Sequence, residues 1–391
     1  KNVFLQGVEK EGWNPVYVTQ EHEEQKVTLI FRTEIASAGE TQEDRAKAQE
    51  LSYRVTVTDP QGNVRTEEDS PECLVITQPL LWWPNGYGEQ NLYGICVQLM
   101  DGSREVDRWE KRIGLRTMTV HREKDVYGES FAHEVNGVQI FAMGADYIPE
   151  DNIFGRITGE RTRKLLEQCR AANYNCIRVW GGGFYPHDDF YDACDELGLV
   201  VWQDLMFACA VYELTEDFDK NIRAEIRDNV RRLRHHASLG LWCGNNEMEM
   251  FVDEGQWVNT LKQKADYIKM YEYIIPQVLK EEDPQTFYWP AAHPREVPLT
   301  IPMTRTEGMC ITGRSGMAAV LSLSTGNIFS VMLLNSVFRH FPLKKTLEQI
   351  TDDPDDFNIF SYVMEKAPEK CRCQRKDHEL HAADIPLSLL F

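Results

Sequence analysis

The sequence predicts two folded units in series: an immunoglobulin-like β-sandwich over residues 1–118, then an incomplete (β/α)8 TIM barrel over 119–391. Three observations predict this. Short strands separated by turn residues fill the first unit. Strands and helices then alternate, the rhythm of βα units on a parallel sheet. The later strands end in polar and aromatic groups, Gly144-Ala145-Asp146-Tyr147, Arg178-Val179-Trp180-Gly181, Trp202-Gln203-Asp204 and Asn245-Asn246-Glu247. A doubly wound sheet shares the alternation, but a barrel builds its site from the ends of several successive strands. No GxGxxG opens a helix, which argues against a dinucleotide site.

In the first unit, Val27–Phe31 is a short apolar strand. Tyr53–Val57 alternates and is followed by the turn Asp59-Pro60-Gln61-Gly62-Asn63. Asn91–Leu99 is a strand closed by Asp101-Gly102, and the acidic insert Glu40–Glu50 reads as a surface helix or loop. Asn136-Gly137 is a hairpin signal. Strands follow at 140–147, 175–180, 199–204, 239–244 and 285–290, with helices at 160–172, 188–197, 216–235 and 257–280 between them. Apolar residues at helical spacing, such as Ile222, Ile226, Val230 and Leu233, mark the helices. Gly198 stops one of them, and Pro276 is expected to bend another.

Composition bounds the function. The chain has 391 residues and is 42% apolar, ample for a core. A net charge of −20 disfavours nucleic acid and anionic lipid and leaves neutral ligands unaffected. No apolar run reaches the length of a membrane span. The first residue is Lys1 with no signal-like stretch after it, so the chain reads as a fragment whose start lies upstream. Of ten cysteines, Cys169, Cys176, Cys194, Cys209 and Cys243 lie in apolar periodic segments, as reduced core cysteines do. Cys371 and Cys373 form a lone CxC without a partner pair, so neither a metal nor any other cofactor is expected. A reducing compartment, the cytoplasm, fits this usage.

The sharpest chemical signal is Leu239–Glu247, an apolar strand that delivers Asn246 and Glu247 to its C-terminal end. A carboxyl held among aromatics is desolvated, so it can stay protonated and donate to a leaving oxygen. Asn246 can bond a sugar hydroxyl. The same position also suits a Glu that caps the following helix. In Arg178-Val179-Trp180-Gly181-Gly182-Gly183 the glycines let the backbone approach a ligand, Trp180 offers a flat face to a pyranose, and Arg178 can orient a carboxylate. An Arg paired with structural acids fits that position as well. Trp202 reads either as core or as a substrate platform, and Asp204 is placed to hold Arg178. Asp188-Asp189 reads as a solvated helix start and His235-His236 as structural, and there is no HExxH.

Together these strings resemble the β-mannosidase branch of glycoside hydrolase family 2. Leu81-Trp82-Trp83-Pro84-Asn85-Gly86, Gly144–Pro149, Arg178–Gly183, Phe190–Leu205 and Trp242–Glu247 occur in order; the match runs from about 74 to 292 and returns at 344–366. The resemblance implies a jelly roll, missing here, before the sandwich and barrel. It implies a retaining exo-glycosidase for terminal β-D-mannosides, using two carboxyl groups about 5–5.5 Å apart. Glu247 matches the acid/base; Arg178, Trp180 and Asn246 match the terminal-sugar pocket. Another family 2 specificity, of the β-glucosaminidase or β-galactosidase type, and a catalytically dead carbohydrate-binding fragment are the alternatives.

The nucleophile implied by the resemblance, the Glu of an SEFG-like motif, is absent. Residues 293–342 lose the βα rhythm and turn rich in Ser, Thr, Met and Gly. Leu334-Asn335-Ser336-Val337-Phe338 can be encoded CTG AAT TCG GTT TTC; a T in front and a one-base shift give TCT GAA TTC GGT TTT, which spells SEFGF. Met303–Gly313 recodes in the same frame as NDENRGDVHYW. Two family-like hits in one shifted frame point to a frame error near His293 reversed near Pro342, with the tail 367–391 shifted too. A divergent loop insertion is the competing explanation.

Overall fold

A computed structural model describes residues 11–37, 50–123, 130–254 and 257–292. Most of the acidic insert at 40–50 lies outside them, as do 293–342 and 367–391, the stretches read as out of frame.

Tyr53, Val55 and Val57 leave one face of a strand and are buried, while their neighbours are half-buried. This period of two recurs through the first unit. The strands are β1 (Glu11–Glu23), β2 (Lys26–Ser37), β3 (Ser52–Thr58), β4 (Val64–Glu67), β5 (Cys73–Thr77), β6 (Tyr93–Asp101) and β7 (Arg104–Ile113). They form two antiparallel sheets, β1-β2-β5 and β4-β3-β6-β7, around Val27, Leu29, Val55, Val97 and Leu115. The predicted turn at 59–63 is tied by Asp59, whose Oδ1 accepts from the backbone N–H of Gln61 and Asn63.

A small sheet follows, of β8 (Met118–His121), β9 (Ala132–Val135) and β10 (Val138–Gln139), in the order β10-β9-β8. Its hairpin turns on Asn136 at φ 51° and Gly137 at φ 77°, the doubly positive conformation that an Asn-Gly pair favours.

The second unit is the first five parallel strands of a (β/α)8 barrel: β11 (Gly144–Tyr147), β12 (Cys176–Val179), β13 (Val200–Asp204), β14 (Leu239–Cys243) and β15 (Phe287–Trp289), adjacent in chain order. Ile177, Val179, Val201 and Trp242 face outward into the helical layer. Cys176, Val200, Trp202, Leu241 and Cys243 face the interior, where Met118, Val120 and Val135 of the small sheet pack against them. Helices Gly159–Ala171 and Glu216–Leu233 begin at Thr158 and Thr215, whose hydroxyls accept from the N–H of Arg161 and Phe218. Helix Asp188–Leu197 ends at Gly198, at φ 72°. Among the described residues no helix is long and apolar enough to cross a membrane.

Two expected elements differ. The strand read at 140–147 is confined to Gly144–Tyr147, because the Asn175 side chain bonds Phe141 O and Met143 N and draws that stretch into a loop. The helix read at 257–280 begins at Leu261 behind a Thr260–Gln263 capping box. Pro276 lies at the start of its last section, Ile275–Glu282, and a wide π turn at Lys269–Ile274 precedes it. The missing proline N–H is thus absorbed by locally wider winding.

The Leu81–Gly86 string fastens the two units together. Trp82 is fully buried and its Nε1 donates to Asp195 O at 2.8 Å. Asn85 donates from its backbone to Gly198 O at 2.8 Å and from its amide to Tyr174 O at 2.9 Å. Gly114 completes the contact: a Cβ there would lie 2.6 Å from Ala237 Cβ and 2.7 Å from Trp82 Cβ.

Candidate active site

Side chains at every second position of a barrel strand point inward. Asp146, Arg178, Trp202 and Asp204 therefore share the interior, and the register pairs Asp146 with Arg178 and Arg178 with Trp202. Arg178 is 2% exposed. Its Nε donates to Asp204 Oδ1 at 3.2 Å, and its Nη2 donates to Asp204 Oδ2 at 2.6 Å and to Asn246 Oδ1 at 2.7 Å. Its Nη1 lies 3.5 Å from Asp146 Oδ2. Burial works against its charge, but Asp204 and Asp146 outweigh burial and hold the guanidinium above its ordinary value.

Asp204 is saturated. Besides Arg178, its Oδ1 accepts from Trp202 Nε1 at 3.0 Å and its Oδ2 from Gly181 N at 3.0 Å. The expected Asp204–Arg178 pair is thus present. Arg178 thus meets structural acids, the second of its two expected settings, and also holds Asn246.

Trp202 comes to the site in a different capacity from the substrate contact expected of it. It is 1% exposed, packs with Val120, Leu241 and Phe131, and spends its only N–H on Asp204. A tryptophan that far down the interior supports the acid beneath the rim. Trp180, one residue past β12, is half-buried at the rim. Its indole lies against Gly182, where any Cβ would overlap the ring. The glycine run thus makes room for an aromatic wall as well as for the backbone turn.

Asn245, Asn246 and Glu247 divide three tasks. Asn245 Oδ1 accepts from Met248 N at 2.9 Å and so caps helix Met248–Glu254, while its amide donates to Pro290 O at 2.8 Å. Asn246 is fixed by its backbone N–H on Phe207 O at 2.9 Å and by Arg178 on its side chain. The cap task that competed for Glu247 belongs to Asn245. Glu247 is half-buried, with φ at 61°, a left-handed conformation uncommon for a residue with a Cβ. It lies near enough for its charge to raise Asp146 on β11 and Cys209 after β13.

Asp146 is the residue that sequence reasoning passed over. Burial pushes its carboxyl up to about 7; Arg178 opposes this, and the charges of Asp204 and Glu247 add to it. A carboxyl whose folded pKa is raised contributes stability that is complete below its unfolded value, about 4, and is lost as pH climbs to the folded value. Asp146→Asn keeps the shape and removes the titration. Its unfolding free energy should exceed that of the parent by on the order of 1–3 kcal/mol at about pH 8 and should match it near pH 4. Urea melts at the two pH values check this; a gain of equal size at both would contradict the assignment.

Asp192, Asp195 and His236 lie within metal-ligating reach of one another. Asp195 is already engaged by Ser238 N at 2.8 Å, Ser238 Oγ at 2.6 Å and His236 Nδ1 at 2.7 Å, a hydrogen-bonded cluster below the barrel. The seven described cysteines are all free.

Residues 15–116 match the family model described as Glycosyl hydrolases family 2. The chain belongs to that family and is β-mannosidase-like. It is 37% identical over 289 residues to β-mannosidase B of Aspergillus fumigatus, covering 72% of this chain and 34% of the relative. With β-mannosidase B of Aspergillus niger it shares 42% identity over 226 residues, 56% of this chain and 27% of that one. Among solved structures it resembles the β-D-mannosidase of Dictyoglomus thermophilum, with a TM-score of 0.64 and 33% identity over 73% of this chain and 35% of that one. The chain thus spans about a third of the length of the relatives it matches.

Proposed function

We propose that this chain carries the acid/base half of a retaining exo-glycosidase for terminal β-D-mannosides. The observation that carries the proposal is the division of labour at the end of β14. Asn245 caps the helix and Asn246 is locked to Arg178, which leaves Glu247 at the rim in a left-handed backbone conformation and near enough for its charge to act on Asp146. A strained rim residue with no structural task fits a functional one. The mannoside class comes from the relatives' names and the Trp180 wall beside the glycine run.

In this reading Glu247, protonated, donates to the departing glycosidic oxygen as a second carboxylate attacks the anomeric carbon. As the carboxylate, Glu247 then takes a proton from the water that releases the sugar. Asn246, oriented by Arg178, bonds a ring hydroxyl, and Trp180 covers an apolar sugar face. Asp204 and Trp202 keep Arg178 in place. The second carboxylate is absent from the chain as written, and we attribute the loss to a displaced frame over 293–342. Asn335 then stands about where the nucleophile was encoded. Sequencing the gene from codon 285 to its end tests this; an unambiguous in-frame reading through the stretch would end it.

A second reading, a dead carbohydrate-binding fragment, is favoured by the missing motif alone. Mannose binding without turnover, both in this chain and in a frame-corrected one, would select it. A panel of aryl β-mannosides, β-glucosaminides and β-galactosides separates the first reading from other family 2 specificities.

A further inference from the structure

The loop that follows β13 is wedged between the rims of β12 and β14. Leu205 N donates to Cys243 O at 2.7 Å, and Phe207 O accepts from Asn246 N at 2.9 Å, so the loop is tied to the end of β14 at two levels. Ala208 continues the pairing as a parallel bridge to Asn246. On the other side, a Cβ at Gly181 would lie 2.7 Å from Leu205 O and 3.1 Å from Phe207 O, so the loop presses directly on the β12 rim. The residues just past the bridge, Cys209 and Glu247, both carry a side chain at positive φ, 51° and 61°. Backbone in that region persists only where its surroundings over-determine it.

One side chain of the same loop supplies such a constraint. The Tyr212 hydroxyl accepts from Ala208 N at 3.0 Å and donates to Ala208 O, 3.1 Å away. It answers both polar backbone groups of the bridge residue and closes the loop on itself. The ring is placed by its own packing. It meets Phe207 edge to face with centroids 5.1 Å apart, and it stacks in parallel at 6.1 Å on Phe218, in the first turn of helix Glu216–Leu233. We propose that Tyr212 is a positioning residue for Glu247: its hydroxyl clamps Ala208, and Phe207 and Ala208 in turn hold the backbone of Asn246, which carries Glu247. This rests on the acid/base role proposed for Glu247 and adds a residue that acts through the backbone, away from the sugar. A proton donor misplaced by about 1 Å can lose on the order of 10² in rate, so a clamp two links away has a measurable effect.

Tyr212→Phe removes the hydroxyl and keeps the ring. In the frame-restored enzyme it should lower kcat/KM for phenyl β-D-mannoside, whose leaving group needs a proton, by roughly tenfold. For the dinitrophenyl β-D-mannoside, whose leaving group departs without one, kcat/KM should stay within about twofold of the parent. A merely structural loss depletes folded enzyme and lowers both alike. Glu247→Ala is the control and should show the same selectivity more strongly. If Glu247→Ala leaves the phenyl substrate unaffected, the role of Glu247 fails and the clamp with it. If that control behaves and Tyr212→Phe matches the parent on both substrates, or loses equally on both, the clamp alone is overturned. A second measurement needs no turnover. In the chain as written, Tyr212→Phe should speed hydrogen exchange at the Asn246 amide by roughly tenfold, while the Trp82 amide, bonded to Leu115 O, exchanges as in the parent. Unchanged exchange at Asn246 would overturn the clamp whatever the kinetics show.

Discussion

Incubated with p-nitrophenyl β-D-mannoside, the chain as written should release p-nitrophenol no faster than buffer does. Asn335 cannot form the glycosyl ester that a retaining mechanism passes through. The same gene with its frame restored over 293–342 should turn over. In that background Glu247→Ala should lower turnover by on the order of 10²–10⁴, the usual contribution of a positioned proton donor. Added azide separates chemistry from misfolding: it attacks the glycosyl-enzyme without needing a general base, so it should restore turnover and yield a β-mannosyl azide. Measurable hydrolysis by the chain as written, or a Glu247→Ala variant that azide leaves unchanged, would refute this account.

The second large effect is on stability. Trp82→Ala should cost about 3–5 kcal/mol, the range for truncating a buried tryptophan. The ring is fully buried between Gly114, Met118 and Ala237, and its N–H answers Asp195 O, which would be left without that donor. Because Trp82 belongs to the seam, the loss should uncouple the units. Thermal melting should split into two transitions where the parent shows one, with the sandwich retained. A single transition shifted by under 1 kcal/mol would contradict the fastening role of the Leu81–Gly86 string.

How far the sequence could be read depends on which physical signal each element carries. Helix Asp188–Leu197 was legible to the residue because its apolar spacing ends on Gly198, and only the left-handed region lets the chain turn there. Arg178, Asn246 and Glu247 were legible as polar groups ending apolar strands, and the structure brings the first two into contact. The cap and acid readings of Glu247 were not separable in sequence; only the bond from Met248 N gives the cap task to Asn245. Asp146 was named as part of a strand end and then left without a role, since nothing local says that it shares the interior with Arg178. That depends on the register between β11 and β12. Trp202 was open for the same reason: an aromatic at an inward position reads alike whether it lies at the rim or one layer down. The π turn before Pro276 has no compositional mark at all.

The backbone at Glu247 has one further implication. At φ 61° a side chain is a burden, of roughly 1–2 kcal/mol, that glycine would not carry. Glu247→Gly should therefore melt later than Glu247→Ala although both lack the carboxyl. On the proposed role of Glu247, a side chain there exchanges endurance for a proton, and glycine would reverse the exchange.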